Sequence, residues 1–267
     1  MRTFKRITLA GCLIGLIGSP MTSLASDVSV ALAELPTELA SVKNVPDAQL
    51  LAEAQKSWDA REDGIQTMRA VMLWDRAVQI DANHPSLYVS LTKASARVYR
   101  HSKGKGTKKR WAYISRQYGA LAVEQNPDNS EAHARYAEAL GQYAQANKGV
   151  GSLKVVKEAV SHLNRAIALD PQSHFAHMLL AQFYEQSPGI FSVGDKKKAL
   201  DQAELAVKTG PNYAINRLTL AKIYVARDRK TEAKEQLEKA LALTAPPDAI
   251  PETKTDQADA RELLKTL

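Results

Sequence analysis

The sequence has one cysteine in 267 residues, and that residue, Cys12, falls in an N-terminal leader. If Cys12 leaves with that leader the chain has no thiol and can form no disulfide, so its stability must come from packing. Aromatic residues make up only 6% and glycines number 13. Runs of β-branched residues are few as well, which leaves an Ala- and Leu-rich chain suited to helices. No G-x-S-x-G, H-E-x-x-H, P-loop or dinucleotide fingerprint is present, so the reading is non-enzymatic, with no cofactor. Disorder is excluded by 45% hydrophobic content against 24% charged.

Arg2, Lys5 and Arg6 form a basic start, and Ile7 to Ile17 an apolar stretch too short to span a bilayer comfortably. Ser23-Leu24-Ala25 places small residues where a signal peptidase reads them, so residues 1–25 are expected to be a signal peptide, and the product soluble and periplasmic. The alternative is a lipoprotein anchored at Cys12, through Leu9-Ala10-Gly11-Cys12. The leader carries three of the seven net positive charges and leaves +4 on the rest. That is too mild for a general nucleic-acid partner.

Residues 26–46, with Pro36 and Pro46, are expected to be a flexible lead-in. From Asp47, read as the N-cap of a helix starting at Ala48, helical patterns alternate with polar breaks to Leu267. The second helices of successive pairs end at Pro85, Pro127, Pro171 and Pro211, about 42, 44 and 40 residues apart. An alanine recurs upstream of each break and once more after the last: Ala77, Ala122, Ala166, Ala206 and Ala240. Such periods mean stacked helical hairpins, since one hairpin cannot bury its apolar stripe alone. Asp256 to Leu267 reads as a short helix capping the exposed end of the stack.

The clearest unit is Tyr213 to Leu243. Its Leu220, Ala221, Tyr224, Ala233, Leu237 and Ala240, with Pro211 before it, resemble the signature of a tetratricopeptide (TPR) repeat. Leu180, Ala181, Tyr184, Ala199, Ala203 and Ala206 repeat it, as do Ala137, Ala159, Leu163 and Ala166; Ala70, Trp74, Ala77 and Ala122 do so more weakly. The resemblance covers Asp47 to Leu267. It implies an all-α, right-handed, TPR-like superhelical solenoid of about five hairpins plus a C-terminal capping helix. Units longer than the usual roughly 34 residues have their extra length at Ser102–Thr107, Asn147–Gly151 and Ser187–Asp195, which read as inserted loops. Pro188-Gly189 to Gly194-Asp195 followed by Ala199 is similar to a divergent branch: the periplasmic TPR proteins of TRAP transporters and the regulator-of-microtubule-dynamics proteins.

In this repeat class the first helix of each hairpin lines the concave face. Its groove-facing positions are expected to be Val89, Thr92 and Ala96, then Glu131, Ala134 and Glu138, then Phe175, Met178 and Gln182, then Ile215, Leu218 and Lys222. Phe175, Met178, Ile215 and Leu218 would meet an apolar peptide or small ligand, or pack on the next unit and on Ile190 and Phe191. A Lys, Arg and Asn cluster able to clamp a carboxylate is not expected. The basic run Arg100, Lys103, Lys105, Lys108, Lys109 and Arg110 reads either as a solvated hairpin turn or as a contact for an acidic partner or lipid headgroups. His174 and His177, three apart, and the isolated His133 and His162 read as surface or groove residues, with no metal.

The resulting reading is a periplasmic scaffold or adaptor binding a protein or peptide in the groove. The alternatives are an accessory component of a TRAP-type solute transporter holding a small apolar ligand, and an envelope assembly factor, with membrane attachment only through Cys12. The intact mass of the exported protein is expected to lack residues 1–25; a product that retains them overturns the leader reading.

Overall fold

The computed structural model describes residues 37–84, 86–149, 151–188 and 193–267. The leader with Cys12, the start of the lead-in, and Ile190 and Phe191 lie outside these ranges. Among the described residues the chain forms eleven α-helices and no strands: α1 (Leu50–Asp59), α2 (Gly64–Ile80), α3 (Leu87–His101), α4 (Lys105–Gln125), α5 (Ser130–Ala146), α6 (Gly151–Leu169), α7 (His174–Gln186), α8 (Lys196–Thr209), α9 (Ala214–Val225), α10 (Lys230–Ala242) and α11 (Ile250–Leu264). Short 3-10 turns cover Thr37–Asn44, Asp47–Gln49 and Pro247–Ala249. No described helix is long and apolar enough to cross a membrane.

Helix starts follow from capping. The carboxylate of Asp63 accepts from Ile65 N–H, the amide oxygen of Asn129 from Ala132 N–H, and Asp195 from the N–H groups of Lys197 and Lys198. The helices pair as five hairpins, α1–α2 to α9–α10, each packed on the next. From α3 onward each first helix also touches the next first helix, and α9 touches α11, so the first helices make a continuous inner row. Fully buried alanines allow this spacing: Ala94, Ala137, Ala181 and Ala221 in the first helices, Ala166, Ala206 and Ala240 in the second.

A polar staple repeats at the turns between hairpins. His133 Nε2 lies 2.8 Å from the Pro127 carbonyl and His177 Nε2 3.1 Å from that of Pro171. Asn216 takes the same role in the last hairpin, donating to the carbonyls of Gly210 and Ala206. A turn carbonyl buried by stacking needs such a donor.

Four expectations are corrected. Asp47 does not cap α1; it sits in the 3-10 turn, and its carboxylate accepts from Arg76 at 2.8 Å. The packed domain begins upstream of Asp47, since Leu39 and Val42 are buried against the first hairpin and Arg76 holds the carbonyls of Val42 and Val45. Two of the three long inserts leave only short connections, residues 102–104 and 147–150, because the following helices are long. Gly104, at φ 84°, makes a tight turn, so α4 starts at Lys105 and runs 21 residues, while α6 starts at Gly151 and runs 19. Only 187–195 remains a long connection. Finally, α11 starts at Ile250 rather than Asp256. Pro251 sits in its first turn, where a missing N–H costs nothing.

The α4–α5 crossing depends on Gly119. A Cβ there would meet the Tyr136 ring at 2.7 Å and the Tyr136 Cα at 3.0 Å. Gly119→Ala is therefore expected to destabilise by about 1–2 kcal/mol, because overpacking outweighs the roughly 1 kcal/mol of helix propensity gained. A raised thermal midpoint would contradict this.

Candidate functional site

The inner face of α3 carries Lys93, Arg97 and Arg100 at i, i+4 and i+7, one stripe along the helix. The first two and a half turns of α11 carry Glu252, Asp256 and Asp259 with the same spacing. The fold brings one member of each stripe together, Arg97 and Glu252. Arg97 Nη1 donates to Glu252 Oε1 at 2.8 Å. Arg61, just past the end of α1, donates from Nε to Glu252 Oε1 at 2.9 Å and from Nη2 to Oε2 at 2.8 Å, a bidentate pair. The rest of both guanidinium groups is occupied too. Arg61 also binds the carbonyls of Trp58 and Asp248, and Arg97 binds the Arg61 carbonyl through Nε and Nη2.

Arg61 and Arg97 are only 3% and 4% exposed, a level of burial that arginine tolerates only when paired. Burial pushes the Glu252 carboxyl up, but the hydrogen bond and charge of Arg61, with the charge of Arg97, outweigh it and hold the group below its ordinary value. Removing one member of a buried pair typically costs about 3 kcal/mol or more; the loss here is smaller, because Glu252 keeps 29% of its side chain in water.

The helix bearing Glu252 is tied at both ends of the chain. Lys254 pairs with Glu62 near the N-terminus, and Tyr213 OH donates to Asp248. Gln257 Nε2 donates to the carbonyls of Ala240, Leu241 and Leu243, the open end of α10. Ala260 is fully buried among Ala214, Leu218, Ala221, Leu237 and Ala240. The last helix therefore caps α10 as expected, and in addition lies on the inner row and bonds to the first hairpin.

Beside this knot is a cleft of about 440 Å³ between α1, α3, the start of α5 and Pro247-Asp248. Trp58 and Trp74 form one wall, their ring centroids 6.0 Å apart. The Arg61 guanidinium lies 4.6 Å from the Trp58 ring and the Lys93 ammonium 5.3 Å from it. Burial, then the nearby Arg135 charge, push the Lys93 ammonium below its ordinary value. Among the described residues no carboxylate is within ion-pair distance of Lys93, while Asn126, Asn129, Ser90, Glu131 and Asp59 complete the rim.

The expected groove residues are mostly packed. Thr92, Ala96, Ala134 and Leu218 are buried at 1% or less, and Met178 at 4%. Val89 alone of the apolar set lines the cleft; Phe175, Met178 and Ile215 do not. Phe175 lies under the Arg135 guanidinium, 3.9 Å from its ring centre. Glu138 is buried and paired with Arg100 at 2.7 Å and Arg135 at 3.2 Å, while Glu131 is exposed. Gln182 bonds to Thr219. Lys222 is exposed and acts on Asp256 through its charge.

The expected basic loop is divided. Arg100 belongs to α3 and faces inward; Lys103 stays in the turn; Lys105, Lys108, Lys109 and Arg110 lie on α4, with Lys108 over the Tyr99 ring. Arg61 and Arg97 clamp a carboxylate of the chain's own last helix, Glu252, rather than that of a peptide. His133 and His162 are not isolated. Their rings stack with Nδ1 atoms 2.7 Å apart, and because His133 uses Nε2–H on Pro127, its Nδ1 accepts from His162. His174 stacks on Tyr213, whereas His177 meets Gln202. Among the described residues no group of three or more His, Cys, Asp or Glu is placed to hold a metal.

Asp256 is half-buried, and burial pushes its carboxyl up to about 7; Arg100 and Lys222 pull it down and Asp259 and Glu252 push it up. Its folded value lies above the ordinary 3.8. The stability it contributes is therefore complete below about pH 4 and lost as the pH rises through about 7. Amide exchange in α11, corrected for intrinsic rate, is expected to be faster at pH 8 than at pH 5, and Asp256→Asn to remove that difference. His162 is held below its ordinary value by burial and by His133 and acts with the opposite sign, so the comparison with Asp256→Asn isolates the carboxyl.

Comparison with known proteins agrees with this architecture. A crystal structure of a thermophilic TPR protein from Thermus thermophilus superposes with a TM-score of 0.63 at 16% identity, covering 81% of this chain and all of that one. The fold is thus the right-handed TPR-like solenoid. Regulator of microtubule dynamics protein 3 of Bos taurus is 25% identical over 262 residues, 90% of this chain and 54% of that protein. The chain spans about half the length of that relative. The family model for regulator of microtubule dynamics protein 1-3 matches residues 50–186, α1 to α7 and just over half the chain. The chain belongs to the regulator of microtubule dynamics protein 1-3 family.

Proposed function

We propose that this protein is a non-enzymatic binding scaffold that receives a protein or peptide segment on its inner face. The observation that carries this reading is the cleft beside Arg61. It joins an aromatic wall, Trp58 and Trp74, to a half-buried ammonium, Lys93, that lacks a carboxylate partner among the described residues. An aromatic surface next to an uncompensated charge suits a segment with an apolar side chain beside an acidic one. The leader at residues 1–25 supports a periplasmic setting, with attachment at Cys12 as the alternative.

The same volume would admit a small ligand. Its wall disfavours an apolar one, because Lys93, Glu131 and Asp248 would lose water without gaining partners. The transport-accessory reading therefore has less support than the scaffold reading.

Tryptophan emission offers a direct test. All three tryptophans are buried, at 7%, 5% and 3%, but Trp58 and Trp74 line the cleft and Trp111 does not. Peptides selected from an immobilised library by the full chain are expected to change its emission. Lys93→Glu is expected to weaken them about tenfold, or about 1.4 kcal/mol. If selected peptides bind Lys93→Glu and Trp58→Ala as tightly as the native chain, the binding surface lies elsewhere.

A further inference from the structure

We infer that one edge of the solenoid, built from the turns inside hairpins two to four, docks on an anionic lipid surface. Side-chain contacts place these turns on a common edge. Tyr99, near the end of α3, donates its hydroxyl to Gln145, near the end of α5, at 3.1 Å. Gly141 of α5 lies so close to Phe183 of α7 that a Cβ there would come within 2.8 Å of the ring. Glu185, near the end of α7, accepts from Arg227, just past α9, at 3.1 Å. The first helices therefore end side by side, and the second helices start in the same row. Lys103, Lys105, Lys108, Lys109 and Arg110 stand at the first of these turns, and Lys148, Lys154 and Lys157 at the second. Residues 102–110 and 147–157 hold these eight cations and no carboxylate, more positive charge than the chain's net +7. Lys196, Lys197 and Lys198 continue the row at the start of α8; Lys196 pairs with Glu185 and Lys198 with Asp195. The row ends at the fifth hairpin, where Arg227 and Arg229 pair with Glu185 and Glu232, and at the first, where Glu62 and Asp63 stand.

Folding does not account for these lysines. A helix start favours acids, and α4, α6 and α8 have none in the first turn. Lys103, Lys105, Lys109, Lys148, Lys154 and Lys157 are exposed, as is Lys197, and none is within ion-pair distance of a carboxylate among the described residues. The opposite edge has the other sign. Its turns at 81–86, 126–129 and 170–173 carry Asp81, Asp128 and Asp170 and no lysine or arginine. Three features favour a bilayer over a single acidic partner. The cations lie in a row across three hairpins, which a flat charged surface meets all at once. All but Arg110 are lysines, point charges without the planar fork that pairs with one carboxylate or phosphate. Leu153, beside Lys154, is 37% exposed, an apolar side chain among cations that can enter the headgroup region. Docked this way, the solenoid turns its cleft away from the membrane, since Ser86, Asn126 and Asn129 on the cleft rim belong to turns of the opposite edge.

The protein as isolated after export is sedimented with vesicles of phosphatidylcholine, with or without about one-third phosphatidylglycerol. It is expected to bind the anionic vesicles more tightly, and less so as salt shortens the reach of the charges. Lys105→Gln, Lys154→Gln and Lys197→Gln together remove one cation per turn and are expected to weaken this binding by about tenfold or more. The matched control, Lys43→Gln, Lys208→Gln and Lys239→Gln, removes the same charge from exposed positions off this edge. It is expected to change binding by less than about twofold. Any leader that remains is the same in all the chains compared. Because the edge lysines stand against the helix starts, their triple variant is expected to keep its thermal midpoint. Leu153→Trp puts a reporter on the edge; its emission is expected to shift to the blue on anionic vesicles and to be quenched by lipids with brominated chains. Equal weakening by the two triple variants overturns the proposal, as does Leu153→Trp emission that the vesicles leave unchanged. Edge-dependent binding of a poly-glutamate peptide or of duplex DNA, by a chain that ignores the vesicles, also overturns it and assigns the edge to an acidic macromolecule. The scaffold reading is separate, since its peptides are read at Lys93 and Trp58.

Discussion

The Glu252 carboxylate, held by Arg61 and Arg97, joins parts of the chain that the repeat alone would leave separate. Stacked hairpins form a one-dimensional array in which each unit touches its neighbours. Nothing in that array requires the first hairpin to meet the last helix. Here the contact is made across 191 residues, and both arginines are buried by it. Without the carboxylate, two guanidinium groups would remain at 3% and 4% exposure with only carbonyls for partners. The arrangement is stable because the arginines are already oriented by backbone. Arg97 is fixed on the Arg61 carbonyl and Arg61 on that of Trp58, so little side-chain entropy is lost when Glu252 arrives.

The rest of the stack supports this contact by being close-packed. The alanines of the inner row bring successive first helices together, and the turn carbonyls this buries are met by His133, His177 and Asn216. That repeated solution uses two residue types for one task, which a search for identical residues would miss. It also explains why the rings of His174 and His177 turn to different neighbours. One serves the turn before it, and the other stacks on Tyr213 of the next hairpin.

The repeat was readable in the sequence because its signal is local: a small residue at each crossing and a proline after each pair. The sites were not, for two physical reasons. Phe175, Met178, Ile215 and Leu218 occupy first-helix positions, but in so tight a row these positions fall between helices rather than in an open groove. The second reason is sequence distance. Lys93, Arg97 and Arg100 are visible as a helical stripe, as are Glu252, Asp256 and Asp259, but only the fold shows that Arg97 meets Glu252. The error in the start of α11 hid this further. Placing the helix at Asp256 left Glu252 in a loop, and a proline in a first turn is compatible with either reading.

Charge and apolar burial both hold α11. Apolar contacts at Ala260, Leu263 and Leu264 are insensitive to charge, whereas the contacts at Glu252, Lys254 and Asp256 depend on it. Glu252 and Asp256 also respond to pH in opposite directions, one held low by two arginines and the other raised to about 7 by burial. Around neutrality, Glu252 is ionised and fully engaged, while Asp256 passes from a neutral group that fits its surroundings to a charged one that must be compensated by Arg100 and Lys222. An additional cation near Asp256, or a partner that lets it return to water, would therefore relieve a strain localised one turn beyond the arginine pair.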